Sequence, residues 1–205
     1  MVRVEGVYRD LSKVGQELLC NSINLPPEHR GKLFQAVDED FDLECFFSHL
    51  NHVRKNDLQG YTFINIKPQT FIHYHEDILG EIDRKIVIEL REDWMTQAQM
   101  KKLCEIRESF PFLLSIDDFG TGSSNLDRVK ALHPNFIKLD MEVFRKNGRL
   151  SLKELTTFVS FLKEYTNAVL IAEKVETEIE WRIARASGIH LWSGFYERNL
   201  NRRRY

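Results

Sequence analysis

The feature that most constrains this chain is a run of short apolar segments, each closing on a charged or amide side chain. Stretches rich in Val, Ile and Phe recur at Met1–Tyr8, Tyr61–Ile66, Lys85–Leu90, Phe112–Ile116, Phe136–Leu139, Val169–Ala172 and Ile189–Phe195. Their near-continuous hydrophobicity is that of strands covered on both faces, as in a parallel sheet. Helical patterns lie between them. Thr96–Phe110 sets Met100, Leu103, Cys104 and Ile106 on one stripe, and Ser151-Leu-Lys-Glu154 is a capping box opening a helix with Leu155, Phe158, Val159 and Leu162 inward. Glu176–Ser187 ends before Gly188 at the expected left-handed position, while Pro27–Val37 and Leu43–Arg54 also read as helices. Strands alternating with helices leave an open doubly wound sheet or a (β/α) barrel.

The strand-end residues favour the barrel. They are Glu5, Asn65, Glu89, Asp117, Asp118, Lys138, Asp140, Glu173 and Glu176. At the C-terminal mouth of a barrel all of them reach one cavity, whereas along an open sheet the first and last strands could not meet. Converging carboxylates repel one another unless a cation neutralises them. The donors are oxygens, without His or Cys at these places, so Mg²⁺, Mn²⁺ or Ca²⁺ suits them better than zinc. With this many acids, two ions about 4 Å apart are plausible. Lys138 lacks a free lone pair while charged, so it would hold a reacting anion, a carboxylate or a water. Residue types alone therefore point to metal-assisted phosphoester hydrolysis. Each such acid read singly is an ordinary helix N-cap, and Asp118 with Gly120 and Gly122 is ordinary turn chemistry.

Composition excludes more than it selects. The 29 basic and 31 acidic residues give a formal charge of −2, which offers DNA, RNA or an anionic membrane no global field. No apolar run approaches the roughly 20 residues that cross a bilayer, and the expected location is the cytoplasm. Cys20, Cys45 and Cys104 are odd in number and scattered, so they read as small apolar residues rather than disulfide or zinc partners. His49 with His52 and His73 with His75 lack companion ligands at zinc spacing. Arg202-Arg203-Arg204 reads as a solvated tail. Trp192 would either stack on a base at the mouth or fill a gap in the barrel wall.

Taken in order, the strand-end segments resemble the EAL-domain family, phosphodiesterases of cyclic dimeric GMP with a TIM-like barrel. VEGVYR (Val4 to Arg9) is similar to the family's VEALLR, INIKP (Ile64 to Pro68) to NLSP, and IELRE (Ile88 to Glu92) to ELTE. DDFGTGSSNL (Asp117 to Leu126) resembles DDFGTGYSSL, IKLD (Ile137 to Asp140) resembles LKID, and AEKVET (Ala172 to Thr177) resembles AEGVET. The resemblance implies one or two Mg²⁺ or Mn²⁺ ions on Glu5, Asn65, Glu89, Asp117 and Asp118. It implies Glu173 as general base and Lys138 as its catalytic companion. Arg9, Val7, Asp140, Glu176 and Ser193 would face the cyclic dinucleotide, and Glu92 would brace the loop after Asp118. A homodimer is the expectation by analogy.

Four departures stand out. Ser193-Gly194-Phe195 replaces QGY, and Ser123 replaces the tyrosine of the DDFGTG segment. Lys174 replaces the glycine of AEGVE, and strand alternation would aim it away from the chemistry. With Glu5 as the namesake glutamate, the family's first strand has almost no residues. The 205 residues would then form a single domain over 1–205, a TIM-like (β/α) barrel that either is incomplete at its N-terminus or borrows a stave, since about 250 is usual. A catalytically silent module binding cyclic dimeric GMP or a protein partner is the alternative reading.

Overall fold

The computed structural model describes residues 2–20, 38–91, 93–120, 126–146 and 149–196. It begins with a hairpin, β1 (Val2–Arg9) and β2 (Ser12–Cys20), turned at Asp10 and Leu11 with Asp10 in the left-handed region at φ 52°. Then follow α1 (Glu39–Asn56), β3 (Tyr61–Ile66), α2 (Pro68–Glu81), β4 (Ile86–Leu90), α3 (Gln97–Ser109) and β5 (Leu113–Phe119). The chain continues through α4 (Leu126–Leu132), β6 (Phe136–Asp140), a 3₁₀ turn at Met141–Phe144 and a short hairpin of β7 (Arg145–Lys146) and β8 (Arg149–Leu150). It ends in α5 (Leu152–Tyr165), β9 (Val169–Glu173), α6 (Glu178–Ala186) and β10 (Leu191–Trp192).

Eight strands close a barrel in the order β1-β10-β9-β6-β5-β4-β3-β2. The expected incompleteness is therefore corrected. β1 pairs antiparallel with both β2 and β10, while the remaining neighbours run parallel. The short strands explain how so few residues suffice, since β10 contributes only two. The unforeseen strand β2 has a weak pattern, because Gly15, Gln16 and Glu17 interrupt it. α2 was also unforeseen; it opens on Pro68 at its first position, where the missing N–H costs nothing. The expected helix at Pro27–Val37, Ser123 and Glu92 lie outside the described residues.

The outward strand faces pack on the helices. Ile64, Ile66, Ile86, Ile88 and Leu114 meet Phe46, Phe71 and Leu103, while Ile137, Leu139 and Leu170 meet Leu155 and Val159. Ser151 caps α5 by accepting from the Glu154 amide, as the spacing predicts, Thr96 and Gln99 form an unforeseen capping box on α3, and Gly188 follows α6 at φ 90°. Trp192 belongs to this shell. It is 1% exposed, stacks on Tyr8 at 5.0 Å and donates its indole N–H to the Asp10 carbonyl at 2.7 Å, sealing β10 against β1.

The inward faces carry two layers. Val7, Phe63, Val87, Phe136, Ile171 and Leu191 form an apolar plug. Two residues further toward the mouth on the same strands stand Glu5, Asn65, Glu89, Lys138, Glu173 and Ser193. A step of two preserves the face, so this second layer is also interior.

Candidate active site

The mouth layer surrounds a cavity of about 580 Å³, lined among others by Glu5, Glu17, Asp117, Asp118, Glu173 and Lys174. A larger hollow of about 1050 Å³ lies at the opposite end of the barrel, between the C-terminal ends of α2 and α3 and the start of β5, and of the acids its described lining holds Asp83 and Glu108 alone. The chemistry belongs to the smaller one.

Buried at 1% exposure among the acids of this layer is the Lys138 ammonium. It lies 2.8 Å from Glu17, 3.1 Å from Glu173 and 3.8 Å from Asp117, and it touches Glu89. Burial alone would favour the neutral amine, but the four acids outweigh it and hold its pKa well above the ordinary lysine range. Burial pushes Glu89 and Glu173 the other way, well above the usual carboxylate range, against the pull of Lys138. Neither oxygen of the fully buried Glu89 accepts a hydrogen bond from any described residue, although the ammonium lies against one of them. An interior carboxylate left this way calls for a cation.

The donor set fits one. Single oxygens of Asp117, Asp118 and Glu173 come within 4.8 Å of one another, and Asp118 presents its side chain from a left-handed backbone at φ 45°. Oxygen donors without imidazole or thiolate suit a hard divalent ion. Asn65 donates its amide to Glu17 Oε1 at 2.8 Å, leaving its own carbonyl oxygen as a further candidate donor beside Glu89, its partner in register.

Several site assignments need correction. Glu5 stands at the rim opposite Glu17, but its carboxylate pairs with Arg3 on its own strand, and the β2 member of the Lys138 cluster is Glu17. Glu17 was missed although Gln16-Glu17-Leu18-Leu19 carries the E-x-L signature, because Val4-Glu5 offered a similar match twelve positions earlier on the facing strand. Val7 belongs to the apolar plug at 1% exposure, too deep to face a substrate. Arg9 lies at the opposite end of the barrel, beside Leu191 and the start of β9, because β1 runs antiparallel.

Asp140 lies level with Glu173 and caps the 3₁₀ turn by accepting from the Glu142 amide at 2.8 Å. Ser193 lines the cavity, its backbone bonded to Ala172 and Val175, and Gly194 beyond it is required: a Cβ there would fall 2.4 Å from the Val175 nitrogen. Glu176 sits at the outer edge, its backbone amide donating to Glu180. Lys174 does not point away. β9 stops at Glu173, Lys174 adopts φ 56°, and its ammonium turns back to Asp140 at 2.6 Å and Asp118 at 3.7 Å.

The profile of the EAL domain matches residues 31–198. The chain belongs to the EAL-domain family. Among curated relatives it is 32% identical over 83 residues to the probable cyclic di-GMP phosphodiesterase PdeD of Escherichia coli, covering 40% of this chain and 16% of PdeD. It is 26% identical over 172 residues to the probable cyclic di-GMP phosphodiesterase PdeA of E. coli, covering 76% of this chain and 23% of PdeA. The EAL-domain chain thus spans about a quarter or less of these relatives. A manganese and cyclic di-GMP complex of BlrP1 from Klebsiella pneumoniae superposes with a TM-score of 0.77 at 23% identity, covering 95% of this chain and 54% of BlrP1. A standalone EAL protein of Vibrio cholerae, bound to cyclic di-GMP, gives 0.74 at 24% identity over 96% of this chain and 90% of its own. These likenesses show the fold, a TIM-like barrel. No described helix is long and apolar enough to cross a membrane.

Proposed function

We infer that this EAL domain linearises cyclic dimeric GMP by hydrolysis that depends on a divalent cation, Mg²⁺ or Mn²⁺. The observation that carries the reading is the convergence of Asp117, Asp118 and Glu173 on one point beside the buried Lys138. The names of the relatives support the substrate class, and the manganese complex of BlrP1 supports the kind of ion.

Asp117, Asp118 and Glu173 would hold the cation, with Glu17, Glu89 and the Asn65 carbonyl as the further donors on the Lys138 side. When bound, such an ion supplies positive charge against the phosphate oxygens and lowers the pKa of water. Glu173, beside the cation donors and 3.1 Å from the Lys138 ammonium, is placed to take a proton from that water. The water oxygen then attacks phosphorus in line, the bond to the 3′ oxygen breaks, and that oxygen leaves as a hydroxyl once it gains a proton. Lys138 stays charged throughout; it fixes Glu17 and Glu173 and opposes the charge growing on phosphorus. Glu176 and Ser193, on the cavity lining, would meet the nucleotide, with the buried Asp140 behind Lys174.

Incubating the purified protein with cyclic dimeric GMP and Mn²⁺, followed by chromatography, tests this. Linear dinucleotide is expected from the wild type and not from Glu173→Gln; no product, or equal product from both, overturns it. One observation favours the non-catalytic alternative: Lys174 already occupies the Asp118 side. Tight nucleotide binding without product under any divalent ion would mark that case.

A further inference from the structure

Lys174 stands where a residue pays a conformational penalty and where its charge lies in the cation site. A left-handed backbone at φ 56° disfavours a long side chain relative to glycine. The conformation is nonetheless pinned. The Lys174 carbonyl accepts a hydrogen bond from Arg145 at 2.6 Å, and Arg145 is itself paired with Glu180 at 2.8 Å. Glu180 in turn accepts from the amides of Glu176 and Thr177. This support directs the half-exposed side chain inward to Asp140 and Asp118.

We propose that Lys174 is a tethered cation that competes with a divalent ion for the Asp118 side of the carboxylate set. The ammonium shares Asp118 with any ion held by Asp117, Asp118 and Glu173, so a cation there meets a like charge a few ångströms away unless the lysine swings out. The Glu17 and Glu89 oxygens are already held by the buried Lys138 ammonium, so the Asp118 side is where a divalent ion and Lys174 exchange. The inference rests on the metal reading above and adds to it a competition: the ion binds its carboxylates only by displacing Lys174. Its half-exposed stem makes that displacement feasible, and the Lys138 ammonium, buried behind the acids, has no such freedom.

The test is a Mn²⁺ titration of the whole chain read by the electron paramagnetic resonance signal of free ion, which counts bound ions without reference to turnover. Wild type is expected to bind Mn²⁺ at least about tenfold more weakly than Lys174→Gln, which keeps length but removes charge. Lys174→Gly should gain as much while also relieving the backbone. Lys174→Arg should behave as wild type. Equal titrations of wild type and Lys174→Gln, or weaker binding in Lys174→Gln, overturn the proposal while leaving the metal reading intact. No Mn²⁺ bound by either protein overturns both.

Discussion

The two layers inside this barrel use the same strands and the same face, one step of two residues apart, yet they solve opposite problems. The plug layer of Val7, Phe63, Val87, Phe136, Ile171 and Leu191 excludes water and is satisfied by contact alone. The mouth layer gathers Glu17, Glu89, Asp117 and Glu173 around a single ammonium, and Glu89 still lacks hydrogen bonds among the described residues. The plug is satisfied by its own side chains; the mouth sets four acids against one ammonium. Local rigidity below permits electrostatic tension above.

The comparison can be broken by removing the one buried counter-charge. Lys138→Met should lower unfolding stability by about 3–5 kcal/mol in urea, since several acids are left facing one another. Added Mn²⁺ should restore part of that loss, and cyclic dimeric GMP turnover should fall by about a thousandfold or more. In the plug, Phe136→Ala should cost about 3–5 kcal/mol by leaving a cavity, with no recovery on adding Mn²⁺. If the two variants respond alike to the ion, the layers are not distinct in kind.

A finer test lies within the first hairpin. Glu17→Gln should reduce kcat/KM by about a hundredfold or more, whereas Glu5→Gln should stay within about threefold. The reverse order would restore Glu5 to the centre. The last test lies outside the barrel, on α1, where burial, aided by the nearby His52, holds His49 down at about 4. A folded pKa below the unfolded value of about 6.5 gives stability that is complete above that value and lost as pH falls from 6.5 toward 4. Thermal unfolding from pH 7 to pH 4.5 should show that loss, up to about 3 kcal/mol, and His49→Phe should flatten it. A slope unchanged in His49→Phe would overturn the assignment of that acid sensitivity to His49.

Most of the mouth was legible in the sequence because every parallel strand obeys one rule: apolar run, then polar end. Asn65, Glu89, Asp117, Asp118, Lys138 and Glu173 all follow it and all meet. The rule failed on the hairpin. β1 is inverted, so its polar residue comes near its beginning, and β2 carries its acid behind Gly15 and Gln16 rather than after a hydrophobic run. It failed again at Lys174, since alternation describes strands and this residue has left one. Closure itself was unreadable for a related reason: β10 is two residues long and gains its place from Trp192 packing on Tyr8, a contact between opposite ends of the chain.

The inversion of β1 also decides how the protein can be handled. Because Val2 pairs with Cys20 at the mouth end, whatever is fused ahead of β1 emerges beside the acidic cavity, next to Arg3 and Val4 on its rim. An affinity tag rich in histidine placed there would sit within reach of the same ions the carboxylates are proposed to bind, so metal titrations call for a tag-free amino terminus.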